Sequence, residues 1–113
     1  MNLEAINHRG TREFIYPTAR DQLVFRLSAA KADLASCRLL YWKRSDTYPE
    51  SVQSHFLIPV YRDALHDDFR ATVFFSEPVH YIKYYFELTD QTGNIFFCTD
   101  DGISKEKPDT GFF

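Results

Sequence analysis

VHYIKYYFELTDQTGNIFFCT, residues 79–99, is the stretch that decides the fold of this 113-residue chain. At period two, Ile82, Tyr84, Phe86 and Leu88 fall on one side and Tyr81, Lys83, Tyr85 and Glu87 on the other, the pattern of a strand with one buried face. Asp90-Gln91-Thr92-Gly93-Asn94 then supplies turn formers, of which Gly93 and Asn94 tolerate positive φ. A second aromatic run, Ile95-Phe96-Phe97-Cys98-Thr99, follows at once. Two such runs joined by a short Gly-containing turn predict a β-hairpin. The β-branched and aromatic residues in both arms argue against a helix.

Outward from the hairpin the same period recurs. Phe69, Ala71, Val73 and Phe75 alternate, and Ser76-Glu77-Pro78 is expected to turn the chain into the hairpin. Ala35, Cys37, Leu39 and Tyr41 share a face opposite Arg38, Leu40 and Trp42. Gln22 to Ser28 predicts a strand with Leu23, Phe25 and Leu27 inward and Val24 and Arg26 outward. Leu3 to His8 is expected as a first strand, ended by His8-Arg9-Gly10-Thr11. Phe14-Ile15-Tyr16 is a short one stopped by Pro17, which lacks a ladder donor and suits an edge or an exit. Ala29 to Asp33 is too short for more than a connection. Lys43 to Ser54 and Arg62 to Asp68 have loop composition, and Phe56 to Tyr61 is apolar but interrupted by Pro59. Asp100 to Gly111 reads as an exposed tail closed by Phe112-Phe113. Seven to eight short strands without a helix predict an all-β fold, an immunoglobulin-like antiparallel β-sandwich over one domain, residues 1–113.

A domain of this length buries roughly two thirds of its unfolded surface and needs neither disulfide nor metal. Thirteen basic against sixteen acidic side chains, net −3, disfavour nucleic-acid binding through a basic footprint. No apolar run reaches the length of a membrane span, and Met1-Asn2-Leu3-Glu4 lacks the regions of a signal peptide. A soluble, cytoplasmic protein with no membrane contact is therefore expected. Cys37 and Cys98 are expected as reduced, partly buried thiols.

Motifs for catalysis are scarce. GxSxG, a phosphate-cradling glycine loop and HExxH are all missing. His8, His55, His66 and His80 are scattered singly, so surface or structural roles are expected and no metal or cofactor is assigned. His66-Asp67-Asp68 is the densest polar cluster, and Asp100-Asp101-Gly102 is expected as a turn rather than a calcium loop. Glycoside hydrolysis needs two acids held across a cleft, and no such pair is evident, so no catalytic residue is assigned. The aromatics point to binding instead. Trp42 stands out of phase with Leu39 and Tyr41, beside a polar loop containing Tyr48 and Phe56. Trp42, Tyr48 and Phe56 are candidate carbohydrate contacts, their planes suited to the C–H faces of sugar rings. The alternative is that Trp42 covers an inter-sheet edge. Tyr81 and Tyr85, flanking Lys83, form a second stripe expected to meet a partner surface.

MNLEAINHRG at the start, LVFRLSAAKADLASCRLLY, DDFRATVFF, and YIKYYFELTDQTGNIFFCTDDGI followed by GFF resemble, in order, the N-terminal domain of neopullulanases, cyclomaltodextrinases and maltogenic amylases. These are glycoside hydrolases of family 13, and the domain is classed as carbohydrate-binding module family 34. The resemblance implies an eight-stranded immunoglobulin-like sandwich ahead of a (β/α)₈ catalytic barrel. It also implies packing against the barrel of a second subunit in a homodimer, and binding of α-glucan or cyclodextrin. The family's catalytic carboxylates lie in the barrel, so this chain is expected to be non-catalytic while the whole protein hydrolyses α-glucosidic bonds. Where the family commonly has a Gly-Asp pair after the Tyr ending the strand, this chain has Trp42-Lys43-Arg44 after Tyr41, and His55-Phe56 stands near the place of the family's loop Trp. The rival expectation is a stand-alone β-sandwich protein-interaction module with no carbohydrate role.

Overall fold

The computed structural model describes residues 3–10, 14–61, 63–75 and 82–113. Among them nine strands follow one another: β1 (Ile15–Ala19), β2 (Gln22–Ala30), β3 (Leu34–Lys43), β4 (Gln53–Phe56), β5 (Ile58–Tyr61), β6 (His66–Phe74), β7 (Ile82–Asp90), β8 (Ile95–Thr99) and β9 (Gly102–Ser104). They pair into a four-stranded sheet, β1-β2-β6-β5, and a five-stranded sheet, β4-β3-β7-β8-β9. The fold is the expected antiparallel sandwich, with nine strands in place of seven to eight.

β7 is central to the larger sheet, where Phe86 opposes Leu39 of β3 and Cys98 of β8. Alternation sends Tyr84, Phe86 and Leu88 inward, all buried, against Phe25, Leu27, Phe69 and Val73 of the facing sheet. Burying one such apolar side chain stabilises the fold by about 1.5–3 kcal/mol, which makes this register hard to slip. The hairpin turn is held by Asp90. Its Oδ1 accepts from the Thr92 amide (3.0 Å), the Thr92 hydroxyl (2.9 Å) and the Asn94 amide (2.9 Å), while Gly93 takes a φ of 89°. Burial works to raise this carboxyl, but the Thr92 and Asn94 donors outweigh it and hold it down at about 2.

Several expectations along the chain are corrected. Leu3 to His8 is not a strand: Leu3–Ala5 is a 3₁₀ turn, followed by a single bridge from Asn7 to Ser28. β1 pairs β2 only as far as Phe25, and Asn7 takes a place further along β2, at Ser28. β1 itself runs on through Pro17, as an edge strand allows. Val24, outward by register, is buried. Ala29 and Ala30 belong to β2, and the connection is confined to the turn after them, with Ala32 at φ 58°. Asp67 braces that turn, accepting from the Ala32 amide (2.9 Å) and pairing with Lys31 (2.9 Å).

The run from Arg62 to Asp68 has loop composition, yet His66 to Asp68 opens β6. Buried Asp68 pairs across the sheet with Arg26 of β2 (2.9 Å) and along its own strand with Arg70 (3.3 Å). Phe56 to Tyr61 is broken at Leu57, not at Pro59. There the chain leaves β4 in one sheet for β5 in the other, with the Leu57 side chain in the core and its amide donating to the Cys37 carbonyl (2.9 Å). The tail after Thr99 forms β9 and then folds back onto β7. The Ser76-Glu77-Pro78 turn lies outside the described residues. No helix among them is long and apolar enough to cross a membrane.

Candidate binding surfaces and the cleft beside the amino-terminal segment

The outer face of the five-stranded sheet carries the sequence candidates. β3 and β7 present Leu40, Trp42 and Tyr85 there, and together they form a second buried cluster. Tyr48, from the loop between β3 and β4, lies against Trp42 with ring centroids 4.7 Å apart, and Phe112 meets the indole edge-on at 4.7 Å. The Tyr48 hydroxyl donates to the Pro108 carbonyl (2.5 Å) and lies 3.3 Å from that of Tyr85. Burial above all, and then Tyr48, push the Tyr85 phenol well above its ordinary value.

Trp42 is therefore only 3% exposed, which corrects the expectation of an open apolar plane. The chain's own Tyr48 and Phe112 cover it. Phe56, 61% exposed, does not join them. It stands opposite Arg38 on β3, with the guanidinium 6.0 Å from its ring centre. Of the expected partner stripe, Tyr85 is fully buried, Lys83 is half-buried, and Tyr81 lies outside the described residues.

Phe112 and Phe113, placed by the sequence at the end of an exposed tail, close both faces of β7. β8 pairs β7 over Phe86 to Thr89, leaving the lane beside Tyr84 open. Phe113 takes it, donating its amide to the Tyr84 carbonyl (3.0 Å) and accepting from the Tyr84 amide (3.4 Å). Successive side chains of an extended segment point to opposite faces. Phe113 accordingly stacks on Tyr84 at 5.1 Å toward the main core, while Phe112 enters the Trp42 cluster. The adjacent pairs Tyr84-Tyr85 and Phe112-Phe113 were the sequence signal for this clasp, since each strand must bury an aromatic on both faces.

His8 completes the inner side of the clasp. Its Nδ1 is 2.6 Å from the Arg26 carbonyl, which can only accept, so Nδ1 carries the proton. Nε2 then accepts from the Tyr84 hydroxyl at 2.9 Å. Phe14, Phe86 and Phe113 pack edge-on around the ring. Burial lowers the imidazole from 6.5 to about 4, against the raising effect of the Arg26 carbonyl.

Next to this clasp lies a cleft of about 740 Å³, between the segment from Ile6 to Gly10 and the turn joining β8 to β9. Ile6, Ile103 and Phe113 give it an apolar floor, and Asn7, Arg9 and Asp100 reach it as polar groups. Asp100 is the one side-chain carboxylate among the described residues that line it. Cys98, at its inner end, is a buried free thiol that burial raises to about 12, and Cys37 is raised by burial and by neighbouring Cys98. Among the described residues no three His, Cys, Asp or Glu side chains converge to hold a metal ion.

The family model described as "Alpha amylase, N-terminal ig-like domain" matches residues 1–113. Neopullulanase 2 of Thermoactinomyces vulgaris is 34% identical over 114 residues, covering 100% of this chain and 19% of that protein. A solved cyclomaltodextrinase aligns with a TM-score of 0.87 at 23% identity, over 100% of this chain and 19% of its own. The type III pullulan hydrolase from Thermococcus kodakarensis aligns with a TM-score of 0.60 at 18% identity, over 88% of this chain and 14% of its own. These structural likenesses are likenesses of fold. The chain spans about a fifth, 19%, of the length of the neopullulanase it matches.

Proposed function

The chain belongs to the N-terminal immunoglobulin-like domains of the α-amylase family, and on that footing we propose that it is the non-catalytic accessory domain of a glycoside hydrolase acting on α-glucans or cyclodextrins. Residues 1–113 form one unit ahead of a catalytic barrel, and that unit packs on the barrel or on the second subunit of a homodimer to select substrate. The observation that carries this reading is the family match along the whole chain together with its small share of each relative. The cleft supports the non-catalytic part. Canonical glycoside hydrolysis uses two carboxyl groups about 5–9.5 Å apart, and among the described residues Asp100 is the one side-chain carboxylate lining this cleft.

Support for docking comes from the seam where the chain changes sheet. Phe56, Ile58 and Val60 are 61%, 68% and 40% exposed, on edge strands β4 and β5. Three large apolar side chains left wet at alternate positions suit a surface that a partner covers. This seam, rather than Tyr81, Lys83 and Tyr85, is the better supported docking edge. The two free thiols fit a reducing, cytoplasmic setting.

The test compares the full-length enzyme with a version lacking residues 1–113. Light scattering reports the subunit count, and relative rates on β-cyclodextrin and soluble starch report selectivity. The truncated enzyme should keep hydrolysis while losing the dimer and the preference for the small substrate. Unchanged mass and an unchanged rate ratio would overturn the proposal.

A further inference from the structure

We propose that His8 is a proton-operated latch: it pins the amino-terminal segment and the carboxyl-terminal tail to one spot on the sandwich, and its protonation releases the two together while the sheets stay paired.

Both segments are held by few bonds. β2 pairs β6 from Gln22 to Ala30, and β3 pairs β7 from Leu34 to Lys43. The amino-terminal segment has a single bridge, Asn7 to Ser28, with bonds of 2.8 and 3.0 Å, and its Leu3–Ala5 turn buries no residue. The tail past β9 returns to the sheet through Phe113, bonded to Tyr84, and through the Gly111 and Pro108 carbonyls, which accept from the Asp100 amide and the Tyr48 hydroxyl. Segments tied this lightly open before the sheets do.

His8 is where the two meet. Its Nδ1 donates to the Arg26 carbonyl, two residues along β2 from the Ser28 that holds Asn7. Its Nε2 accepts from the hydroxyl of Tyr84, the residue whose backbone anchors Phe113. The Phe113 ring lies 4.7 Å from the imidazole and stacks on Tyr84. Lifting the amino-terminal segment therefore takes the imidazole away from Phe113, and lifting the tail uncovers the imidazole.

No side-chain carboxylate among the described residues bonds the ring to balance an added charge. From β2, the Arg26 guanidinium is turned to Asp68. From β7 comes the Tyr84 phenol, and the Cys98 thiol of β8 lines the same cleft as His8. Burial above all raises both of these, Cys98 to about 12, so neither ionises in mild acid. Arg9 and Asp100 stand exposed at the cleft, one charge of each sign. Phe113 brings its ring and, in a chain that stops there, its terminal carboxylate. Closed, the imidazole takes its proton near 4; released into water, at its ordinary 6.5. The ratio of open to closed molecules accordingly rises by about twentyfold between pH 7 and pH 5. On the accessory-domain reading the tail leads toward the catalytic part, so mild acid would loosen that join; the latch itself rests on the sandwich alone.

The experiment is amide hydrogen exchange by NMR on the 113-residue chain at pH 7 and pH 5, each rate taken relative to an unstructured peptide at the same pH. Protection of the Asn7 and Phe113 amides, which bond Ser28 and Tyr84, should fall together by about twentyfold. The Gly93 amide, bonded to the Asp90 carbonyl in the hairpin turn, should keep its protection. Leu39 and Phe86, in the core, should stay far better protected than either latched amide. His8→Gln, which cannot titrate, should abolish the fall, whereas any effect of the terminal carboxylate would persist in it. Tyr84→Phe, which keeps the imidazole, should still show the fall. Unequal changes at Asn7 and Phe113, exchange of both only along with the core, unchanged protection at both, or a fall that survives in His8→Gln would each overturn the latch. Should His8→Gln fail to fold, the shared fall in the parent against a steady Gly93 decides alone. None of these outcomes bears on the accessory role, which stands on the family match.

Discussion

Lowering the pH protonates His8 in the unfolded chain well before it does so in the folded one. In the sandwich the imidazole is buried against four aromatic rings, with Nδ1 donating to Arg26 and Nε2 accepting from Tyr84. Protonation would reverse that second bond, Nε2 then donating to the Tyr84 oxygen, and would place a charge in this apolar setting, whose burial holds the imidazole low. The folded value is about 4 against an ordinary 6.5. Between those limits the unfolded state binds more protons than the folded state, so stability falls as the pH falls. It is fully present above 6.5, declines toward 4, and changes no further from His8 once both states are protonated. At about 1.4 kcal/mol per pH unit, the loss totals roughly 3 kcal/mol, a large share of the 5–15 kcal/mol typical of a domain. Asp90, held at about 2, adds a separate loss in more acidic solution, as the pH falls below 3.8. Urea denaturation at closely spaced pH values measures the slope, and His8→Gln, which cannot titrate, should remove this part of it. A flat profile through this window, or a His8 ring that titrates near 6.5 by NMR in the folded protein, would show that burial of His8 does not set the acid stability.

Three further outcomes follow from packing. Phe86→Ala, at a fully buried position opposite Leu39 and Cys98, should lose about 3–5 kcal/mol in urea denaturation; a loss under about 1 kcal/mol would put the register of β7 in error. Phe112→Ala should cost about 1–2 kcal/mol and shift the emission of Trp42, the single Trp, to the red by uncovering the indole edge. Asp68→Asn leaves Arg26 and Arg70 facing a neutral amide, and should lose about 1–3 kcal/mol by the same denaturation assay.

Strand alternation carried most of the fold in the sequence. Phe25 and Leu27, Phe69 and Val73, and Tyr84, Phe86 and Leu88 all reach the core they were expected to reach. Period-two patterns fail where a strand is not half-buried. His66 to Asp68 is polar because Asp67 and Asp68 pair with Lys31 and Arg26 of other segments, besides Arg70 two residues on, and no local pattern reports the long-range pairing. The change of sheet at Leu57 hides within an apolar run, since one buried residue between two exposed ones looks like ordinary alternation. Trp42 was legible as outward, but its cover was not. Tyr48 stood six residues away in the adjoining loop, but Phe112 reaches the indole by a returning tail, a contact of long sequence separation. The cleft was invisible for the same reason, its walls coming from opposite ends of the chain.

In the role proposed above, this sandwich serves a glycoside hydrolase without carrying its chemistry. The most direct test incubates the purified 113-residue chain with β-cyclodextrin and with pullulan and counts reducing ends against a heat-inactivated control. No release from either sugar is expected. Release that disappears in Asp100→Asn, a carboxylate that lines the cleft, would contradict the non-catalytic role.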